Sequence, residues 1–337
     1  MFSWNGQVVG ITGATGFVGE HLARGLVRHG ANVVALARPT SNVQRLRAAG
    51  VACKIASLDR PDELARALDG CAVVFHVAGA VGFDSAWDVY QNVNLQGTRH
   101  ILDAARRAGV RRFIHTSSIV AVGALEQPTV LDETSPWNLG PMCVPYVSTK
   151  RWAEDAARAA NGNGLEVVIV NPGCVVGPDD FAGSEFGTLC KRFWKGRIPI
   201  HFGGGNNFVD VRDVAEGMRL AAERGRAGER YLLVGENRTY AAFFTDLCRV
   251  ARRSIPRLLL PSAIAHFFGY LGDRLPRKFG ERPYISSAQT ALFGRFFYFD
   301  ASKAKRELGY TARPLAQSLA DAHAFWMGAG RKRAIGV

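Results

Sequence analysis

Several things are missing from this 337-residue chain. Its six cysteines (Cys53, Cys71, Cys143, Cys174, Cys190, Cys248) form no C-x-x-C pair and have no histidine pair at ligand spacing nearby. That excludes a disulfide framework or a zinc finger, leaves reduced core thiols, and gives no metal site. No apolar run reaches the roughly 20 residues of a spanning helix. The most apolar late stretch, Leu258 to Gly272, is broken by Pro261, Ser262, His266 and two glycines. The opening MFSWNGQVVGITG lacks a basic n-region followed by an apolar h-region and cleavage site, so a cytoplasmic location is expected, with peripheral membrane contact as a variant of it.

Acidic residues are also scarce. There are 29 Asp+Glu against 42 Lys+Arg, a formal charge of +13. Such an excess suits nucleic acid, an anionic membrane surface or phosphate-bearing small molecules. The basic residues are scattered over 99–112, 191–197, 219–230 and 249–282, with no zinc-finger spacing, basic zipper or recognition-helix pattern, so no nucleic-acid partner is expected. A composition of 47% hydrophobic and 21% charged residues belongs to a globular chain with a real core.

Apolar, β-branched runs of strand length occur at Gln7–Ile11, Asn32–Ala37, Val51–Ile55, Ala72–Val77, Arg112–Thr116 and Leu165–Asn171. Helical periodicity fills the gaps at Val18–His29, Val43–Ala49, Pro61–Leu68, Asn94–Ala108 and Tyr146–Ala160. Strict alternation with doubly buried strands predicts an α/β fold, a Rossmann doubly wound parallel sheet covered by helices. Asn171-Pro172-Gly173 interrupts the pattern, which divides the chain into 1–172 and a smaller substrate-binding lobe at 173–337. Arg230–Val234 reads as a further strand, either at the sheet edge or in the second lobe.

The first strand runs into Thr12-Gly13-Ala14-Thr15-Gly16-Phe17-Val18-Gly19 and opens a helix. Glycines three apart allow a tight turn and close backbone approach to a pyrophosphate, and the helix start offers unpaired N–H groups. Tyr146 and Lys150 stand at i and i+4, on one helix face, downstream of the strand that ends in Thr116-Ser117-Ser118.

The loop resembles the TGxxGxxG signature of the short-chain dehydrogenase/reductase superfamily, in its extended branch, and later segments resemble it along almost the whole chain. The closest look is to dihydroflavonol reductase and 3β-hydroxysteroid dehydrogenase-like members. The resemblance implies a serine–tyrosine–lysine trio. Ser118 matches the serine that hydrogen-bonds the substrate oxygen, with Ser117 as the close alternative. Tyr146 matches the general acid or base, and Lys150 the residue that holds the nicotinamide ribose and lowers the tyrosine pKa. It also implies cofactor contacts at Gly13, Thr15, Gly16, Phe17, Val18 and Gly19, at Leu58, at Val77 and Ala78, at Ser117, and at Pro172, Cys174 and Val175. Ser57 stands where the family has an aspartate beside the adenine. Asn94 and Asp213, inside family-like motifs, read as helix caps.

After the second strand, Ala37-Arg38 takes the place of the acid that binds a ribose 2′-hydroxyl in NAD-preferring folds. A guanidinium suits a 2′-phosphate, so the expected cofactor is NADP(H), with Ser41 as a further contact.

Ser118 is followed by Ile119-Val120-Ala121-Val122-Gly123, without the acidic pair of sugar dehydratases or the tyrosine of epimerases. That favours interconversion of a ketone and an alcohol on a bulky hydrophobic substrate. A nucleotide-sugar epimerase and a non-catalytic NADP-binding sensor are the alternatives. Phe83, Trp87, Phe186 and Trp194 are candidate substrate contacts, although such aromatics equally fill cores. A monomer or homodimer is expected. Seven basic residues against two acids between Arg252 and Arg282, around Leu258–Leu271, leave an interfacial helix open, as they do a helix covering the substrate pocket.

Overall fold

The structure, a computed structural model, describes residues 3–83, 85–196, 200–252, 258–260, 262–274 and 286–328. The first half runs β1 (Val8–Thr12), α1 (Phe17–Arg28), β2 (Asn32–Ala37), α2 (Gln44–Ala48), β3 (Ala52–Ile55), α3 (Pro61–Ala67), β4 (Val73–His76), α4 (Trp87–Tyr90), α5 (Gly97–Arg107), β5 (Arg112–Thr116), α6 (Pro145–Ala159) and β6 (Glu166–Pro172). Next come β7 (Cys174–Val176), α7 (Glu185–Trp194), β8 (Ile200–Phe202), β9 (Gly205–Asp210), α8 (Val211–Arg224), β10 (Arg230–Leu233), β11 (Glu236–Thr239) and α9 (Tyr240–Ala251). The last elements are β12 (Leu258–Leu260), α10 (Ser262–Arg274), α11 (Ser287–Thr290), β13 (Phe296–Phe297), α12 (Ser302–Leu308) and α13 (Leu315–Met327).

Seven parallel strands form the main sheet in the order β10-β6-β5-β4-β1-β2-β3. The central strands are buried on both faces because their residues are apolar in unbroken runs: Val9, Ile11, Val74, Phe75, Phe113, Ile114 and Val167 to Val170 are all inaccessible. One core cluster fills each face, with α1 contributing Leu22, Ala23 and Leu26 to one and α5 contributing Ile101, Leu102 and Ala105 to the other. The direction of winding reverses between β1 and β4, where Thr12 and His76 stand in register. A ligand crevice opens at such a reversal, beyond the carboxyl ends of the strands.

The chain does not divide at residue 172 as cleanly as its composition suggests. β10 pairs with β6 and completes the main sheet, α8 packs on α1, and α12 packs on α8 and β10. The second lobe is built instead around β11-β9-β13, with β7 on β9, and a third core cluster. There Phe208 stacks on Phe243 with ring centroids 3.9 Å apart.

Two expected caps are corrected. Asp210, not Asp213, caps α8 by accepting from the Arg212 amide at 2.8 Å; Asp213 lies inside the first turn and holds Arg313 at 2.7 Å. Asn94 does not begin a helix. The helical run starts at Trp87 and passes through a π-helical segment, Gln91–Gln96, that turns Asn94 inward. No helix among the described residues is long and apolar enough to cross a membrane.

Candidate active site

Gly13 has φ +72°, and a Cβ on it would stand 2.5 Å from the Ala78 nitrogen, so the turn after β1 tolerates only glycine. A Cβ on Gly19 would meet the Gly13 carbonyl at 2.1 Å, so glycine there lets α1 press against the loop. Gly16 caps α1 without any side-chain hydrogen bond, which leaves the first-turn N–H groups at Phe17, Val18 and Gly19 for a ligand. Thr15, Gly16 and Val18 are half-buried along this turn. Arg38 is exposed just beyond β2 and its side chain has no ion pair with a described residue. Ser41 closes the same turn, donating its amide to the Arg38 carbonyl at 3.0 Å. A glycine cradle and an open helix start suit the pyrophosphate of a dinucleotide. Leu58 is half-buried on the adjoining loop, its carbonyl 2.7 Å from His100 Nδ1.

A chain of hydrogen bonds fixes the segment after β4. The Ala78 amide donates to Thr12 Oγ1 (3.3 Å), which lies 2.7 Å from His76 Nδ1; His76 Nε2 lies 3.0 Å from Thr98 Oγ1, and Thr98 donates to the Asn94 carbonyl at 2.6 Å. Because Thr98 spends its proton on Asn94, it must accept from Nε2–H, which makes His76 a neutral Nε2 tautomer that accepts from Thr12. The Asn94 amide side chain then grips Ala80 at both its N–H (2.7 Å) and its carbonyl (3.1 Å), and reaches Thr149 on α6 at 3.2 Å. Val77 and Ala78 are thereby held rigidly at the crevice. The sequence reading missed His76 and the inward turn of Asn94; the motif containing Asn94 was visible, but its π-helical register was not.

Pro145 starts α6 at a position that needs no amide donor and places Tyr146 and Lys150 one turn apart over the end of β5. Burial pushes the Tyr146 phenol upward; the nearby Ser118 hydroxyl opposes that, while Glu185, Cys174 and Tyr90 push further up. Lys150 is buried, donates from Nζ to the Thr116 carbonyl at 2.8 Å, and is pulled down to about 8 by burial against the charge of Glu154. Lys150 Nζ lies 3.9 Å from the place a Gly79 Cβ would occupy, so it points across the crevice between β4 and β5.

Ser117 faces the other way. It is buried and donates to Glu154 Oε2 at 2.6 Å, in a network where Glu154 also accepts from Asn171 Nδ2 (2.7 Å) and pairs with Arg230 (3.2 Å). The Ser117 hydroxyl is committed beneath the sheet end, so a contact of this residue with a cofactor would have to come from its backbone. Glu154, four residues beyond Lys150, could have been suspected from helix spacing alone. Its partner Arg230 could not.

Beside Tyr146 lies a cavity of about 470 Å³ lined by Phe83, Met142, Val144, Pro145, Ala288 and Ala291 among others. Phe83 meets the Tyr146 ring edge-on at 5.7 Å. Of the other candidate substrate contacts, Trp194 is 1% exposed, donates to the Leu247 carbonyl and belongs to the second-lobe core, which excludes it from the cavity wall. Phe186 packs against Phe208 in that core. Trp87 lies at the surface against Trp152. Pro172 ends β6, while Cys174 and Val175 open β7, half-buried where the chain leaves the main sheet.

A parallel sheet with its crevice at the β1–β4 reversal is the architecture of dinucleotide-binding enzymes. The chain belongs to the NAD dependent epimerase/dehydratase family, whose profile matches residues 9–234. It is 32% identical over 320 residues to a putative dihydroflavonol 4-reductase of Synechocystis sp. (93% of this chain, 92% of that one). It is 34% identical over 321 residues to sterol demethylase protein B of Methylococcus capsulatus (94% and 97%). A 4-hydroxy-2-methyl-3-oxo-4-farnesyl-3,4-dihydroquinoline-1-oxide ketoreductase of Stigmatella aurantiaca is 31% identical over 328 residues (93% and 94%). Among solved structures, the crystal structure of gox2253 superposes with a TM-score of 0.84 at 33% identity, covering 98% of this chain and 99% of that one. These relatives place the chain among NAD(P)-dependent oxidoreductases and epimerases of the short-chain dehydrogenase/reductase fold.

Proposed function

We propose that the protein is an NADP(H)-dependent oxidoreductase that interconverts a ketone and a secondary alcohol on a bulky hydrophobic substrate. The observation that carries the reading is the Tyr146 phenol, which Ser118 pulls down against burial, walled by Phe83 beside a cavity whose lining mixes apolar groups (Phe83, Met142, Val144, Pro145, Ala288, Ala291) with serines and Asp273.

The nicotinamide, when bound, supplies or accepts the hydride. This chain's residues handle the oxygen and the proton. In reduction Tyr146 Oη gives its proton to the oxygen that becomes the alcohol, and Ser118 Oγ donates a hydrogen bond to the same oxygen as negative charge builds there. Lys150, cationic and anchored on the Thr116 carbonyl, favours the phenolate left behind and is placed to hold the ribose. In oxidation the same groups act in reverse, Tyr146 taking the proton. Gly13, Thr15, Gly16, Phe17, Val18 and Gly19 hold the pyrophosphate, Arg38 with Ser41 the 2′-phosphate, Leu58 the adenine side, and Val77, Ala78, Pro172, Cys174 and Val175 the nicotinamide end.

The names of three relatives, a putative dihydroflavonol 4-reductase, a sterol demethylase protein and a ketoreductase of a farnesylated quinoline oxide, are consistent with a hydrophobic substrate. A nucleotide-sugar epimerase would need cations for a diphosphate, and the described lining of this cavity has an acid, Asp273, and no basic residue. The test is Tyr146→Phe: ketone-dependent NADPH oxidation should fall by about 10²-fold or more while NADPH affinity is kept. Unchanged turnover would overturn the assignment.

A further inference from the structure

Helix α10 carries its apolar face outward. Ile264, Phe267, Phe268 and Leu271 recur at i, i+3, i+4 and i+7, the spacing of one helix face, and are 46, 63, 50 and 40% exposed. Tyr270 beside them is 52% exposed. The opposite face is the packed one: Ala265 is fully buried, and a Cβ on Gly269 would stand 2.7 Å from Thr290 Oγ1 and 3.0 Å from the Ser286 carbonyl of the adjoining α11 segment. A helix that only covered the cavity would turn its phenylalanines inward.

The sequence on either side of this stripe is rich in one sign of charge. Between Arg252 and Arg282 the sequence has Arg252, Arg253, Arg257, Arg274, Arg277, Lys278 and Arg282 against Asp273 and Glu281. Arg253, Arg257, Arg277, Lys278 and Arg282 lie outside the described residues, so their part in the argument is their charge and their spacing along the chain. The helix also adjoins the site, since Asp273, Ser286, Ser287, Ala288 and Ala291 line the cavity opposite Phe83 and Met142.

We propose that α10 is a docking helix that seats the protein on an anionic lipid surface, with the Ile264–Phe267–Phe268–Leu271 stripe in the headgroup–acyl boundary. A second copy is the poorer occupant, because a twofold contact would pair two copies of a segment whose sequence carries seven basic residues against two acids. Docking stands on the stripe and the charge alone. That the cavity then draws a hydrophobic substrate from the bilayer rests on the proposed function.

The experiment is co-sedimentation of the full chain with vesicles of phosphatidylcholine and phosphatidylglycerol in roughly 7:3 proportion, against pure phosphatidylcholine, at low and high salt. The native chain should bind the anionic vesicles and release as salt rises. Phe267→Asp/Phe268→Asp should weaken binding at least about tenfold while NADPH affinity and melting temperature are kept. Should that variant not fold, Phe267→Gln/Phe268→Gln gives the same comparison. Tyr146→Phe should bind vesicles like the native chain, which separates failure of docking from failure of the catalytic reading. Absence of vesicle binding at low salt, or equal binding by the native and altered helices, overturns the proposal. So does a dimer in sedimentation velocity that the double variant disperses without any vesicle binding by the native chain.

Discussion

Ser117 Oγ donates to Glu154 Oε2 at 2.6 Å beneath the end of β5, while the hydroxyl of the next residue, Ser118, accepts from the Val120 amide at 3.4 Å and acts on the Tyr146 phenol, pulling it down against burial. Adjacent serines thus have separate tasks, and their alanine variants should differ in kind. Ser118→Ala is expected to lower kcat for reduction by about 10²- to 10³-fold, the usual effect of losing one donor to a developing oxyanion, with the fold intact. Ser117→Ala is expected to lower stability by about 1–3 kcal/mol, because a buried carboxylate loses a donor. Its kcat should change far less. Steady-state kinetics beside urea denaturation separates the two, and equal kcat losses would contradict the division.

The Glu154–Arg230 pair ties α6 to the edge strand β10, and its surroundings are dry: the side chains are 0% and 9% exposed. Removing one partner strands the other charge, so Glu154→Gln is expected to lower stability by about 3–5 kcal/mol in chemical denaturation. A second readout follows from Lys150, whose charge Glu154 helps retain. If Lys150 must be cationic for reduction, kcat/KM should fall as pH rises through about 8. In Glu154→Gln that fall should move to lower pH. A profile that stays in place would show that Glu154 acts on the fold alone.

Arg38 has an exposed guanidinium and follows a β2 strand that ends in Ala37 rather than an acid. Arg38→Asp replaces a charge-assisted partner of a 2′-phosphate with a repulsive group. The ratio of kcat/KM for NADPH to that for NADH should fall by about 10- to 100-fold, in line with the strength of one to two charged hydrogen bonds. Stability should hardly move, since the side chain makes no ion pair with a described residue. Unchanged cofactor preference would remove Arg38 from the phosphate site.

The legible part of this molecule is the part whose signals are local. Each of the first six strands was placed within one residue of its observed ends, because unbroken apolar runs can only be satisfied inside a covered parallel sheet. The glycine loop was legible because its spacing is itself the backbone constraint. What stayed hidden depends on which distant residue fills a space. Trp194 looked like a pocket aromatic and is core, since its partners Leu247 and His323 arrive from α9 and α13. Asn94 looked like a cap because a π-helical turn leaves no mark in hydrophobic period. Glu154 is read correctly only once β10 brings Arg230 back to the sheet.

The histidines under the crevice give the fold an acid limit. His76 and His115 are buried with ring centroids 5.6 Å apart, and both ring nitrogens of His115 lack a hydrogen-bond partner. Burial, reinforced by the Lys150 charge, depresses His76 to about 3 and holds His115 well below its ordinary value. Both are therefore neutral when folded and protonate when unfolded, so the unfolded chain binds more protons once pH falls below about 6.5. Stability is fully present above that pH and declines below it, towards the low folded values. Two such groups give a slope of up to about 2.7 kcal/mol per pH unit, since each contributes about 1.36. His115→Phe keeps the ring volume and removes two unpartnered nitrogens, so it should be neutral or stabilising at pH 7 and should lower the acid slope by up to about 1.4 kcal/mol per pH unit. Urea denaturation between pH 7 and pH 5 measures both quantities, and an unaltered slope in the variant would show that His115 is already protonated, and so solvated, in the folded protein.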